Sequence, residues 1–326
     1  MIRKTFLFLC VGLCLCGVTF AQIDEVAEGT GSAPGPSPIT MGVPVLDGLL
    51  FVGTANNSNS PTATYNDIFT VDPVSDTATS ILSGVNTWGA TADTANSRVL
   101  FTRSSGLTPP PGLIGGGDEL FEVPYSGGTP TSLGQITDPA TGYAFRIDGL
   151  AVSGGVLYGS HAGGTTNGLY EIDWSTLEIN QVGSWTDSIS GIDADPDTGQ
   201  IYGVNDTIFA LVTIDAAAGT NTFLASYPSG MTDIDGIAVG GGIAYLVTDE
   251  AGTIPVYDLV AGSYGTPLTS PFTVADVFSA AAIAVGGGGQ DDGGSDDGGV
   301  PATTGVGIAL LVLLLGGGGA YFLRRK

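Results

Sequence analysis

The segments TWGATAD (87–93), IDGLAVS (147–153), ISGIDAD (189–195) and IDGIAVG (234–240) are versions of one unit, rich in small residues with a glycine near the start. Their first residues lie 60, 42 and 45 positions apart, and a fifth segment, FSAAAIAV from Phe278, begins 44 positions later. Such a period marks a repeat architecture, so it is read before any single element. Turn chemistry follows each of the first four: DTANSR, GG at Gly154, DPDTGQ from Asp195 and GG at Gly241, residues suited to positive φ or to type I turns.

A second strand is then expected at LLFVGT from Leu49, VLFTRS from Val99, VLYGSH from Val156, QIYGVN from Gln200 and IAYLVT from Ile243. Third strands read DIFTVDP, ELFEVPY, GLYEIDW, LVTIDA and IPVYDLV, with the alternation of a half-buried strand. More polar fourth strands read TATSILSG, TPTSLGQI, EINQVGSW, NTFLASY and TPLTSPF. Four strands per unit over residues 41–285 predict an all-β fold, a β-propeller of five four-stranded blades. In that reading the last inner strand joins the outer strands between Leu49 and Gly84, so the two chain ends close the ring. ITMGVPVL from Ile39 offers an alternative inner strand, which would make six partial blades, and a β-sandwich or solenoid is the rival architecture.

Residues 1–21 carry Arg3 and Lys4, an apolar run from Phe6 to Phe20, and Thr19-Phe20-Ala21 before Gln22. This is the layout of a signal peptide for signal peptidase. Cys10, Cys14 and Cys16 all lie inside it, each after a leucine, whereas a lipid-attachment cysteine follows Gly or Ala. The exported chain therefore has no disulfide, thiol chemistry or thiolate zinc site. Residues 22–40 read as a disordered arm, and 286–299 as a Gly/Asp-rich flexible linker. The 18 residues Val306–Leu323 followed by Arg324, Arg325 and Lys326 predict a transmembrane helix, about 27 Å long at 1.5 Å per residue, with a cytoplasmic basic tail.

Immediately before that span stands VPATTG (300–305). Motif, apolar span and basic cluster together resemble the PEP-CTERM and IPTL-CTERM family of bacterial sorting signals, with Val300, Pro301, Thr304 and Gly305 as the matching motif residues. The resemblance implies processing of residues 300–326 by an exosortase-like transpeptidase. An LPxTG-type sortase signal and a plain membrane anchor remain the alternatives.

Of the eight basic residues, only Arg98, Arg103 and Arg146 fall within 22–299, which also holds all 32 acidic residues. The exported part thus carries −29. A surface of that sign repels phosphate backbones, so nucleic acid is not an expected partner, and salt or divalent cations should screen its self-repulsion.

Catalytic groups are scarce. His161 is the single histidine, in SHAGGTTNG, where it reads as a solvated loop residue or as the base of a triad. No serine sits in a GxSxG elbow. Two metal candidates stand out, both for calcium. Asp193, Asp195 and Asp197 before Gly199 alternate acids as calcium loops do, and the same string reads as a hairpin turn. Trp88, Asp148, Ser190, Asp235 and Ser279 occupy equivalent positions at the entry to the inner strands, so Asp148 and Asp235 would face one mouth of the axis, either as cation ligands or as turn caps. The Pro-rich stretch 104–119 reads as an exposed loop.

DPDTGQIY (195–202) also resembles turns of secreted lactonase-like and quinoprotein-like propellers, and in the metal-dependent members of that group acidic and amide side chains on the axis hold calcium or another divalent ion. The expected function is a surface-anchored recognition or matrix protein without catalytic apparatus, the alternatives being a calcium-dependent propeller hydrolase or lyase and a purely structural extracellular component.

Overall fold

A computed structural model describes residues 39, 42–55, 67–104, 117–163, 166–248, 252–272 and 278–285. The expected signal peptide (1–21), the expected arm apart from residue 39, the expected linker and sorting motif and the apolar C-terminal span lie outside the described residues, among which no helix is long and apolar enough to cross a membrane.

Strands follow one another in antiparallel fours. The chain opens with Leu50–Ala55 (β1), Ile68–Asp72 (β2) and Thr77–Leu82 (β3). The second blade is Thr87–Asp93 (β4), Arg98–Arg103 (β5), Glu119–Pro124 (β6) and Thr131–Gln135 (β7), with a small hairpin after it, Thr137–Asp138 (β8) and Tyr143–Ala144 (β9). Gly149–Ser153 (β10), Val156–His161 (β11), Gly168–Ile172 (β12) and Ile179–Ser184 (β13) form the third. Ile189–Ala194 (β14), Ile201–Asn205 (β15), Ala210–Asp215 (β16) and Thr220–Ser226 (β17) form the fourth. The remaining strands are Gly236–Gly240 (β18), Ile243–Val247 (β19), Thr253–Ile254 (β20), Val256–Asp258 (β21), Ser263–Tyr264 (β22), Leu268–Thr269 (β23) and Phe278–Ile283 (β24).

Strand β24 pairs antiparallel with β1, from Leu50 opposite Ile283 to Ala55 opposite Phe278, and gives the sheet order β24-β1-β2-β3. Five four-stranded blades result, and the first is completed by the chain's last strand. The six-blade alternative fails at residue 43, which among the described residues bridges Gly128 rather than a strand of its own sheet. Pro44 lacks the N–H that a continued ladder needs, and the segment instead links blades: Leu46 N–H donates to the Tyr125 carbonyl and Gly48 N–H to that of Ala284.

One expected strand is misplaced. TPLTSPF does not form the fourth strand of the last blade; β22 does, in sheet order β18-β19-β21-β22, while Leu268–Thr269 pairs with Thr253–Ile254. The cause is a tight turn after β21. Asp258 Oδ1 accepts the N–H groups of Val260 and Ala261, and Gly262 takes φ +66°, so the chain reverses before residue 263.

The inner strands β4, β10, β14, β18 and β24 touch in that cyclic order and back to β4. Glycine makes this possible. A Cβ on Gly89 would meet the Asp148 carbonyl oxygen at 3.0 Å, one on Gly149 the Ser190 carbonyl oxygen at 2.5 Å, and one on Gly191 the Asp235 carbonyl oxygen at 2.2 Å. Each contact joins equivalent positions of neighbouring blades, so all inner strands run parallel around the axis. Every inner strand therefore starts at one rim, here the upper, and ends at the lower.

Apolar side chains of adjacent blades fill the space between sheets as five clusters, for example Phe51, Phe101 and Phe121 between the first two blades and Leu150, Leu157 and Tyr170 with Leu100 and Leu120 between the next two. Phe51 and Phe101 lie 5.6 Å apart and Phe101 stacks on Phe121 at 5.4 Å. Each such buried side chain contributes about 1.5–3 kcal/mol, which lets a domain without disulfides hold together.

Candidate functional site at the upper mouth of the axis

The residue before each inner-strand glycine, and before Ala280 in the last inner strand, stands at the upper rim. Trp88, Asp148, Ser190, Asp235 and Ser279 are all buried there. With the following glycines and small residues, Trp88, Asp148, Asp235 and Ser279 line a shallow central dip too tight for a water molecule. The axis is packed backbone against backbone, so chemistry at this face belongs to its mouth.

Asp148 is fully buried and anchors one side. Its Oδ1 takes the Arg146 guanidinium, its Oδ2 accepts Ala162 N–H at 2.7 Å, and Nδ1 of His161 lies 3.3 Å from the same oxygen. Burial alone would push this carboxyl up, but the Arg146 charge, His161 and Ala162 N–H outweigh it and hold the group below the ordinary carboxylate range. The Arg146 guanidinium sits 4.5 Å over the Trp88 ring, and Phe145 meets the His161 ring edge to face at 5.3 Å. His161 is thus no solvated loop residue; it ends β11 and is buried. Its loop position in the sequence hid this, because β11 extends to residue 161 and pairs it with Gly168.

Asp235, the repeat equivalent of Asp148, has a different environment. Among the described residues, Asp206, Asp233 and Asp235 form the group of three potential metal ligands, with one oxygen each within 4.8 Å of the others. Asp206 Oδ1 accepts the Tyr227 hydroxyl at 3.0 Å and Ile234 N–H at 3.3 Å. Burial, then the charge of Asp233, pushes the Asp206 carboxyl up to about 7. Asp206 and Asp233 were not legible as partners of Asp235, since they sit in loops of two different blades.

The acidic turn behaves otherwise. Asp195 Oδ1 accepts Asp197 N–H at 2.9 Å and the Asp195 carbonyl accepts Gly199 N–H at 2.8 Å, an ordinary hairpin turn between β14 and β15 at the lower rim. Asp193 turns inward. Its Oδ1 accepts the Thr91 hydroxyl at 2.7 Å and Ala194 N–H at 2.9 Å, and its Oδ2 accepts Val239 N–H at 2.7 Å, so one side chain links three inner strands. Burial, opposed by these hydrogen bonds, pushes its carboxyl up to about 8.

All three arginines of the domain are engaged internally: Arg98 with Asp93 and Glu122, Arg103 with Glu119 and over the Phe121 ring, Arg146 with Asp148. The acidic excess is left to the surface.

No family model matches the chain, and no curated protein does. Solved structures do resemble it. A nidogen/laminin complex aligns at 11% identity over 73% of this chain and 99% of that one, with TM-score 0.46. A structural-genomics protein of unknown function from Bacteroides thetaiotaomicron aligns at 13% identity over 73% and 72%, TM-score 0.44. Hydrazine synthase of Kuenenia stuttgartiensis aligns at 16% identity over 56% of this chain and 49% of that one, TM-score 0.36. Likenesses this distant carry no argument about activity.

Proposed function

We propose that this protein is a surface-anchored extracellular recognition or matrix component that presents its upper face to a ligand. The observation that carries the reading is the division of labour between the two rims. The lower rim holds short turns, capped by Asp72, Asp173, Asp215 and Asp258 accepting N–H groups two residues on. The upper rim holds the axial mouth and the loops that begin after His161 and Asn205, of which Ala162, Gly163 and Asp206 are among the described residues. Loops on a rigid scaffold are where recognition concentrates. Strand β24, the last described strand, ends at the lower rim. Signal peptidase and an exosortase-like transpeptidase acting near Val300, Pro301, Thr304 and Gly305 complete the proposed route to the surface.

Protease treatment of intact cells tests the location: the acidic domain should be digested from outside. Undegraded full-length chain recovered from the cytosol would end the proposal. Ligand capture is tested by glycan and matrix-polymer arrays probed with the full chain, with neutral or cationic polymers as the expected hits.

The second reading, a calcium ion, is favoured at Asp206, Asp233 and Asp235, where three carboxylates approach one another, over Asp193, Asp195 and Asp197, where Asp193 binds Thr91 and Val239 and Asp195 caps its own turn. Calcium should raise the thermal midpoint of the wild type and not that of Asp233→Ala. Equal shifts in both would remove this site.

A further inference from the structure

The turn between β15 and β16 carries two large apolar side chains into solvent at the upper rim: Ile208 is 46% exposed and Phe209 45%. The backbone beneath them is fixed. Oδ1 of Asn205, a fully buried residue, accepts the N–H groups of Thr207 and Ile208, and the Thr207 hydroxyl accepts Ser188 N–H. Phe209 sits at φ +52°, in the left-handed region that a bulky side chain rarely adopts. Leu177 has a similar φ of +56°, but its side chain is buried in the core, and packing offsets the strain. Half-exposed, Phe209 gains less from packing, and glycine would fit the turn better. A fixed turn that holds adjacent apolar side chains in water has the character of an interaction surface.

We propose that Ile208 and Phe209, with the carboxylates around them, dock a basic segment of a partner protein, one that sets an apolar side chain next to lysine or arginine. Charge selects this occupant. Asp206 starts the same turn, and one of its oxygens lies within 4.8 Å of one each from Asp233 and Asp235. Asp187 accepts the Asn205 side-chain amide at 3.0 Å. From Ala162 to Leu323 the sequence contains no lysine, arginine or histidine, so the fourth and fifth blades have no cation of their own to set against these carboxylates. An ammonium or guanidinium group from outside pairs with them while its apolar neighbour covers Phe209. A second copy of this acidic chain and an anionic lipid surface bring charge of the wrong sign. The inference rests on the upper-face recognition reading and names the chemistry of its partner.

The probe is a fluorescein-labelled decapeptide of alternating lysine and leucine, titrated by fluorescence anisotropy into the full chain in neutral detergent without calcium. It should bind, and more weakly as sodium chloride is raised. Phe209→Gly, which suits φ +52° and so leaves the turn intact, should bind about tenfold less tightly. Asp233→Asn, at an exposed position, should lose severalfold, and Val260→Ser on the lower rim should bind as the wild type does. Thermal midpoints verify that each variant is folded. A wild type that leaves the peptide free, a Phe209→Gly protein that keeps full affinity, or a decalysine bound as tightly as the mixed peptide would overturn the inference. Displacement of the peptide by phosphatidylglycerol added to the micelles would assign the tip to lipid instead, and self-association abolished by Phe209→Gly would assign it to a second copy. A neutral polymer captured equally by wild type and Phe209→Gly, with the peptide unbound, would end this inference and leave the recognition reading standing. Capture of neither peptide nor any polymer would end both.

Discussion

The substitution Asp193→Asn should change how stability depends on pH. In the folded protein this carboxyl is 1% exposed and titrates near 8, against an ordinary value of 3.8. The native state therefore keeps a proton that the unfolded chain releases. The stabilising share is present in full below about pH 4 and is lost as pH rises towards 8. Four pH units at about 1.4 kcal/mol each give roughly 6 kcal/mol as the upper limit of that loss. An asparagine in its place cannot ionise and should not suffer it. The amide has its own cost, because its NH2 must face either Val239 N–H or Ala194 N–H, about 1–3 kcal/mol for a mismatched buried donor. Wild type should thus be the more stable at pH 5 and the variant the more stable at pH 9. Urea unfolding of both at pH 5, 7 and 9 and fixed salt measures this, since the remaining acidic residues are common to the pair and cancel in the difference. A stability difference that stays flat across that range would show that Asp193 is ionised throughout, and the reasoning from its burial would be wrong.

Gly191→Ala should cost about 1–3 kcal/mol, seen as a lower urea midpoint, because its Cβ would lie 2.2 Å from the Asp235 carbonyl oxygen; an unchanged midpoint would mean that the axis is looser than described. Removing residues 278–285 should abolish the single cooperative transition, since β1 loses its inner partner and the first blade its closure. Thermal stability should rise with sodium chloride, screening a net charge of −29 over about 10 Å at 0.1 M; a melting temperature indifferent to salt would contradict it.

The Asp148 and Asp235 pair shows how far pattern alone reaches. Their equivalence and their place at one mouth follow from repeat alignment, yet nothing in IDG read twice distinguishes a carboxylate flanked by Arg146 and His161 from one flanked by Asp206 and Asp233. Asp193, Asp195 and Asp197 fail as a unit for a related reason. Alternation places residues 193 and 195 on one side of a strand, but whether that side meets solvent or the axis depends on the neighbouring blade.

From residue order come the four-strand unit, its five occurrences with the ring closed by the chain's two ends, the glycine at the crowded step of four inner strands, and the acidic excess of residues 22–299. These are local: propensity, turn chemistry and period act over a few residues and survive without knowledge of partners. The burial of His161 against Asp148, the strand-to-strand link through Asp193 and the meeting of Asp206 with Asp235 were decided only in three dimensions. Each joins groups from separate strands or blades, and the energy of such contacts depends on distance and desolvation, quantities that exist once the sheets have packed around a common axis.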